Sequence, residues 1–204
     1  MPGETDIMNV ALRMVGQSTI TSRGDGSTTA NTLDDIYDEV RDDLLRTHPW
    51  DFAIKRVQLA RSTTDPAFEF DYAYVLPADW LRTVSVHDND AGYGTLLYRM
   101  EYVGTQRCIV ASADAIYLRY VYQVTDPNLM TADFRRTLEL SLARDLAIPL
   151  ASSNKLWEQF TLEVRLALAR SRSADAMGSF PELRPRGSWA SSRGGGRNNE
   201  FFSD

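Results

Sequence analysis

The chain has little of what most enzyme chemistry uses. It contains a single cysteine, Cys108, so no intrachain disulfide can form. A lone thiol between Arg107 and the apolar pair Ile109-Val110 reads as a buried structural residue of a protein assembled in a reducing cytoplasm. Only two histidines occur, His48 and His87. Neither has the HxH, HxxxH or cysteine neighbour that zinc or acid–base sites use. No apolar run approaches the ~20 residues a membrane span needs, so no membrane association is expected. The sequence Met1-Pro2-Gly3-Glu4-Thr5-Asp6 lacks a basic region followed by an apolar stretch, so no secretory leader is expected. There is no GxSxG elbow. Gly92 to Gly94 supplies only GxG with no helix signal after it, and Gly24-Asp25-Gly26 has no strand before it. Neither is a phosphate loop. A basic excess is also missing. The net charge is −6 over 204 residues. Residues 176–204 hold four arginines against two glutamates and one aspartate, a net of +1, which leaves −7 for the other 175. An acidic body argues against tight, sequence-specific nucleic-acid binding, though not against a wall that DNA slides past.

Hydrophobic residues make up 43% and charged residues 25%, ordinary values for a globular chain able to bury its own core. A helix starts near Thr5, capped by Thr5 or Asp6, carries Ile7, Ala11, Met14 and Met8, Leu12, Val15 at helical spacing, and stops at Gly16. Gln17 to Thr29 reads as a loop. The second helix carries the stripe Leu33, Ile36, Tyr37, Val40, Leu44, with Asp34, Asp35, Asp38, Arg41 and Asp42 opposite, and Pro49 ends it at His48. From Ala53 to Tyr122 the pattern is β: Ala53–Ala60, Phe68–Tyr74, Leu81–Val86, Tyr98–Val103, Arg107–Ala111 and Ala115–Tyr122 are strand candidates. Asp88 to Gly94 has turn chemistry. Gly104-Thr105 and Ser112-Ala113-Asp114 are short enough to be hairpin turns. Thr131 caps a third helix with Phe134, Leu138, Leu142 and Leu146 on one face, which Pro149 bends or ends. Ser152-Ser153-Asn154 caps a fourth, with Trp157, Phe160, Val164 and Ala167-Leu168 inward, running out near Asp175. Beyond Met177 no apolar period survives, so the remainder is expected to be disordered or extended.

The expected fold is α+β: a four-helix bundle (residues 4–52 plus 123–176), an inserted small antiparallel β unit (53–122) and an extended or flexible C-terminal tail (177–204). No catalytic, cofactor-binding or metal-binding residue is assigned. The pairs Asp34-Asp35, Asp42-Asp43 and Asp88-Asn89-Asp90 read as solvated helix faces or turns. Tyr117, Tyr120, Tyr122 and Arg119 resemble a base-stacking platform until strand alternation is applied. Leu118, Tyr120 and Tyr122 then point one way and Tyr117, Arg119 and Val121 the other.

Four segments carry a resemblance. They are His48-Pro49-Trp50-Asp51-Phe52-Ala53, then Tyr72 through Leu76-Pro77-Ala78-Asp79-Trp80-Leu81-Arg82 with Val84-Ser85-Val86, then Tyr117-Leu118-Arg119-Tyr120 through Val124-Thr125-Asp126-Pro127, and Leu142-Ala143-Arg144-Asp145-Leu146-Ala147-Ile148-Pro149-Leu150. Their order and spacing, over roughly Ile7 to Asp175, resemble the tail tubular protein A family of short-tailed phages, the head-to-tail adaptor or gatekeeper proteins. The resemblance implies a non-enzymatic structural subunit with no cofactor. It implies a twelve-membered ring of this chain under a portal protein, with a tail nozzle protein below and DNA passing through the lumen without specific binding. The location would be the virion, and the host cytoplasm during assembly. The residues add to this. Trp50 and Phe52 should anchor the junction between helices and β unit. Leu76 to Asp79 should form a turn closed by Asp79, with Trp80 beside it. Phe180, Trp189, Phe201 and Phe202 among Arg184, Arg186, Arg193 and Arg197 are anchor-type residues for a partner such as portal. Two rival expectations are a cell-wall hydrolase component using paired carboxylates and a host-surface binding module built on the β unit.

Overall fold

A computed structural model describes residues 3–92, 94 and 96–178. The elements in chain order are α1 (Glu4–Met14), α2 (Thr28–Thr47), a 3₁₀ turn (Asp51–Ala53), β1 (Ile54–Gln58), β2 (Tyr72–Val75), β3 (Trp80–His87), β4 (Arg99–Val103), β5 (Gln106–Ala111), β6 (Tyr117–Tyr122), α3 (Ala132–Leu146) and α4 (Asn154–Gly178).

The helices form where the caps and stripes predict. Ser27 Oγ accepts from Ala30 N at 3.1 Å at the start of α2. Thr131 Oγ1 does the same for Phe134 N at 3.3 Å in α3, and Ser153 Oγ for Leu156 N at 3.2 Å in α4. Each satisfies an N–H that a helix start would otherwise orphan. At α1 the cap is Gly3, not Thr5 or Asp6. Asp6 instead accepts from Gly3 N at 2.8 Å, the reaching-back half of a capping box. Helix α2 ends at Thr47, with His48 extended, as Pro49 requires.

The expected four-helix bundle is wrong. The structure is α+β, with four helices and two three-stranded antiparallel sheets, and the helices converge on α3. Phe134, Thr137, Leu138, Leu140, Ser141, Leu142, Ala143 and Leu146 of α3 are all buried, which is more than one stripe. It packs against α1, α2 and α4, and α2 in turn reaches β3 and β6. Periodicity shows which side of a helix is covered, not whether a helix or a sheet covers it.

The first sheet has the order β1-β6-β3 and the second β2-β5-β4. The first lies between two cores. Ile54, Leu81, Val84 and Val121 join the helical core around Trp50 and Phe134. Val86, Leu118 and Tyr120 face the second sheet, where they meet Tyr74, Ile109 and Ala111. The far face of the second sheet carries Ala73, Cys108 and Val110, covered by Phe70. The order is therefore helices, sheet, sheet.

Two β expectations need correction. Gly104-Thr105 does turn the β4–β5 hairpin; Gly104 has φ +63 while Thr105 stays on the ordinary side, the sign pattern of a type II′ turn. Ser112 to Asp114 does not turn a hairpin, because β5 and β6 lie in different sheets. The Phe68–Tyr74 alternation also breaks. Glu69 has φ +73, which rotates the chain, leaving Phe68 81% exposed and Phe70 on the outer core, with the strand beginning at Tyr72. Trp157, expected inward, is 40% exposed, at the N-terminal end of α4 ahead of buried Phe160 and Val164.

Trp50 is the side chain on which the two halves meet. It is 1% exposed, its Nε1 donates to Leu44 O at 3.1 Å, and it meets Phe134 edge-on at 5.2 Å. Trp50→Phe should cost about 1 kcal/mol, because one buried hydrogen bond is lost while the Leu44 carbonyl keeps the Thr47 hydroxyl at 2.7 Å. Trp50→Ala should cost about 3–5 kcal/mol from the cavity. Urea unfolding of both variants checks the order and the gap.

Candidate functional site

The sequence placed partner-binding residues in the tail: Phe180, Arg184, Arg186, Trp189, Arg193, Arg197, Phe201 and Phe202. All eight lie outside the described residues. What the structure does describe is the root from which that segment departs. Near the C-terminal end of α4, Asp175 Oδ2 sits 3.1 Å from His48 Nε2. Asp175 Oδ1 accepts from Asp51 N at 3.2 Å. One turn earlier, Arg172 Nη2 donates to Thr47 O at 3.2 Å. From β3, Arg82 Nη1 donates to Arg46 O at 3.0 Å. Cations thus meet the terminal carbonyls of α2, where the helix dipole is negative. The Asp175 side chain is only 8% exposed, so this is a packed clasp. It joins α4, α2 and the start of the 3₁₀ turn beside the Trp50–Phe52–Phe134 aromatic cluster. Sequence reading gave His48 only a helix-end role. Its partner lies 127 residues away, a separation that no local pattern carries.

The opposite end of the joint is organised by Asp79. The turn runs Pro77 to Trp80, one residue later than expected, closed by Trp80 N donating to Pro77 O at 3.1 Å. Asp79 Oδ2 accepts from Lys55 Nζ at 2.6 Å and Oδ1 from Tyr120 Oη at 3.0 Å. Gln123 N donates to the Asp79 carbonyl at 2.8 Å. Burial by itself would raise the Asp79 carboxyl, but the Lys55 ammonium and the Tyr120 hydroxyl outweigh it and hold it below the ordinary carboxylate range. Burial and the neighbouring Asp79 charge push the Tyr120 phenol up. Lys55 also lies 3.9 Å from the Tyr122 ring centroid, and Arg107 4.5 Å from Trp80. Tyr120 and Tyr122 thus share one face of β6 beside the Lys55–Asp79 pair, and Tyr117 lies on the other.

The acidic pairs are not sites of their own. Arg23 reaches Glu4, Asp34 and Asp38, at 3.0, 2.5 and 3.0 Å. Arg41 pairs with Asp38 at 2.7 Å and Asp42 at 2.8 Å. Arg41, expected on the solvated side of α2, is 2% exposed because its guanidinium lies against the Tyr37 ring. Asp43 pairs with Arg46, and Asn89 Nδ2 donates to Asp88. The Arg23 bonds pin the loop after α1 to α2. Cys108 is buried, its thiol donating to Gln106 O at 3.6 Å, and burial pushes its pKa up. Among the described residues no three His, Cys, Asp or Glu side chains gather to hold a metal ion, and no helix is long and apolar enough to cross a membrane.

What this arrangement does chemically is hold elements together across a helix–sheet joint. Asp79→Asn should destabilise the protein by about 1 kcal/mol at neutral pH, a small value because the Lys55 pair is half-exposed. A carboxylate held below its ordinary value contributes fully above pH ~3.9, and that contribution is lost as pH falls through its lowered value. The melting curves of wild type and Asp79→Asn should therefore converge in acid. Asp175→Ala should cost about 1 kcal/mol by removing the contacts to His48 and to the Asp51 amide, with hydrogen exchange rising first in the last turns of α4. A scan against protein-family models finds no match, and neither does a search of curated proteins.

Proposed function

We propose that this chain is a structural adaptor subunit of a phage head-to-tail connector, a ring member between portal and tail nozzle through which DNA passes. The reading comes from the order and spacing of four sequence segments resembling the tail tubular protein A family. The observation that carries it furthest is that three of those segments meet at the joint just described. Trp50 and Phe52 come from the first, Asp79 and Arg82 from the second, and Tyr120 and Gln123 from the third. The fourth, Leu142 to Leu150, forms the end of α3, with Leu142, Ala143 and Leu146 in the same core as Trp50. Segments that build a rigid joint suit a part that transmits force and position.

Two further features support it. The end of α4 is clasped by Asp175 and Arg172, so the arginine- and aromatic-bearing segment after Gly178 starts from a fixed point. A segment of that composition suits docking on another protein, since Trp, Phe and Arg dominate interface energetics. The acidic body, with −7 outside residues 176–204, would repel phosphate and keep DNA from adhering to a channel wall, an effect that salt weakens.

Mass photometry tests the proposal, using the purified chain alone and mixed with portal, in full length and ending at Met177. The expected result is a ring on the portal with the full chain and loss of that association on truncation. No association of either form removes the adaptor reading.

A further inference from the structure

Every open sheet has edges, and an edge is a row of unpaired N–H and C=O groups ready to bind another strand. Three of the four edges here are guarded. Beside β2 runs the 59–62 segment: Ser62 N donates to Ala73 O at 2.7 Å, Val75 N to Ala60 O at 3.1 Å, and Arg61 bridges to Tyr74. Strand β3 is irregular at two places, between Trp80 and Arg82 and between Thr83 and Ser85. Strand β1 presents Lys55 and Arg56 side by side. Strand β4 has no bulge and, among the described residues, no segment beside it, and its two charges, Arg99 and Glu101, are of opposite sign. Its register with β5 runs unbroken from Arg99↔Val110 to Val103↔Gln106, and among the described residues no strand pairs with its other side. Met100 is 40% exposed and Tyr102 70%.

The geometry of that edge is fixed by the hairpin. A two-residue turn makes Val103 and Gln106 a hydrogen-bonded pair, so the peptide groups of Arg99, Glu101 and Val103 bond to β5. Those of Met100 and Tyr102 then point outward. Side chains alternate as well. Met100 faces the first sheet, where Thr83 Oγ1 donates to its Sδ at 3.6 Å. Arg99 and Glu101 lie on the other face, opposite Val110 and Cys108 of β5.

We propose that β4 pairs antiparallel with β4 of a second copy of this chain, about a two-fold axis through Met100. The register follows from charge. An axis at Glu101 would set Glu101 against itself, and one at Arg99 would set Arg99 against itself. An axis at Tyr102 would set Glu101 opposite Val103. An axis at Met100 sets Arg99 opposite Glu101 twice and Tyr102 opposite Tyr98 twice. It also places an outward-pointing peptide group on the axis, so the hydrogen bonds form without any change in β4. Opposite charges directly across an antiparallel pair stabilise it, and like charges oppose it. Arg99 has a partner in its own chain, Glu69 at 3.2 Å, but both side chains are largely exposed, so that pair exchanges readily. The joined sheets form one six-stranded sheet, β2-β5-β4-β4-β5-β2.

The test is sedimentation velocity of the full chain over a concentration series, without portal, so that its outcome is separate from the adaptor reading. The wild type should show a reversible dimer. R99E and E101R should each weaken it at least about tenfold, because each sets like charges opposite one another at two places. An equal mixture of the two variants restores opposite charges at both places and should recover wild-type affinity to within about threefold, as should the double variant R99E/E101R alone. Both positions are exposed, and circular dichroism of each variant verifies that it is folded. A wild type that stays monomeric overturns the proposal. So does any oligomer, ring or dimer, whose stability ignores these charges, or a mixture that associates no better than its components.

Discussion

Helix α3 cannot be exposed along any wide face, and the other elements are arranged to cover it. Its apolar positions occupy more than one stripe, and even its polar groups turn inward. Thr137 Oγ1 donates to Asp133 O at 2.9 Å, Ser141 Oγ to Thr137 O at 2.9 Å, and Ser171 of α4 lies 2.9 Å from Thr137 Oγ1. These back-bonded hydroxyls let a Thr and a Ser sit in the core without a desolvation penalty. A helix buried on several sides needs several partners. Helices α1, α2 and α4 supply three, and the first sheet closes the core beneath Trp50 and Phe134.

The first sheet, used on its helical face, then has its other face to bury. A central strand such as β6, with Val121 toward the helices and Leu118 and Tyr120 away, cannot leave that second face in water. The second sheet covers it, and the chain changes sheet at Ser112–Asp114, where Tyr74 Oη donates to Ala113 O. The same logic runs out one layer later. Among the described residues, the outer face of the second sheet is closed by Phe70 and a few small residues, and no strand pairs with its margin at β4. Among the described residues burial is strongest at α3, and β1 and β4 are the most exposed strands.

Much of this was legible in the sequence, and the failures share a cause. Caps at Ser153 and Thr131, the stop at Pro49 and the Gly104 turn are local signals, and they hold. The number of β segments was readable from alternation. What was not readable is which faces meet. Alternation puts Val121 and Tyr120 on opposite faces, but it does not say that the first meets the helical core and the second the other sheet. Arg41 looks solvated until the Tyr37 ring and two aspartates are placed around it. The site reading suffers the same limit. Asp79 was read as a turn residue, while its hold on Lys55 and Tyr120 depends on strand pairing. The His48–Asp175 clasp joins residues that only the packing of α4 on α3 brings together.

Symmetry separates the two surfaces argued above. A ring closes through head-to-tail contacts that use two different patches of each subunit, whereas a two-fold contact uses one patch twice and stops at two. The β4 register through Met100 is of the second kind, so it cannot be the contact that propagates a ring. It belongs to a sheet whose strands contribute nothing to the helical core, while the clasp at the end of α4 is part of the joint around that core. The two can therefore act independently. A bare edge left open in the free subunit would recruit any extended chain, and pairing it with its own copy satisfies the same peptide groups in a closed, soluble form. On this reasoning the charges at Arg99 and Glu101 select a safe partner for β4, and the residues around Trp50 hold the joint steady.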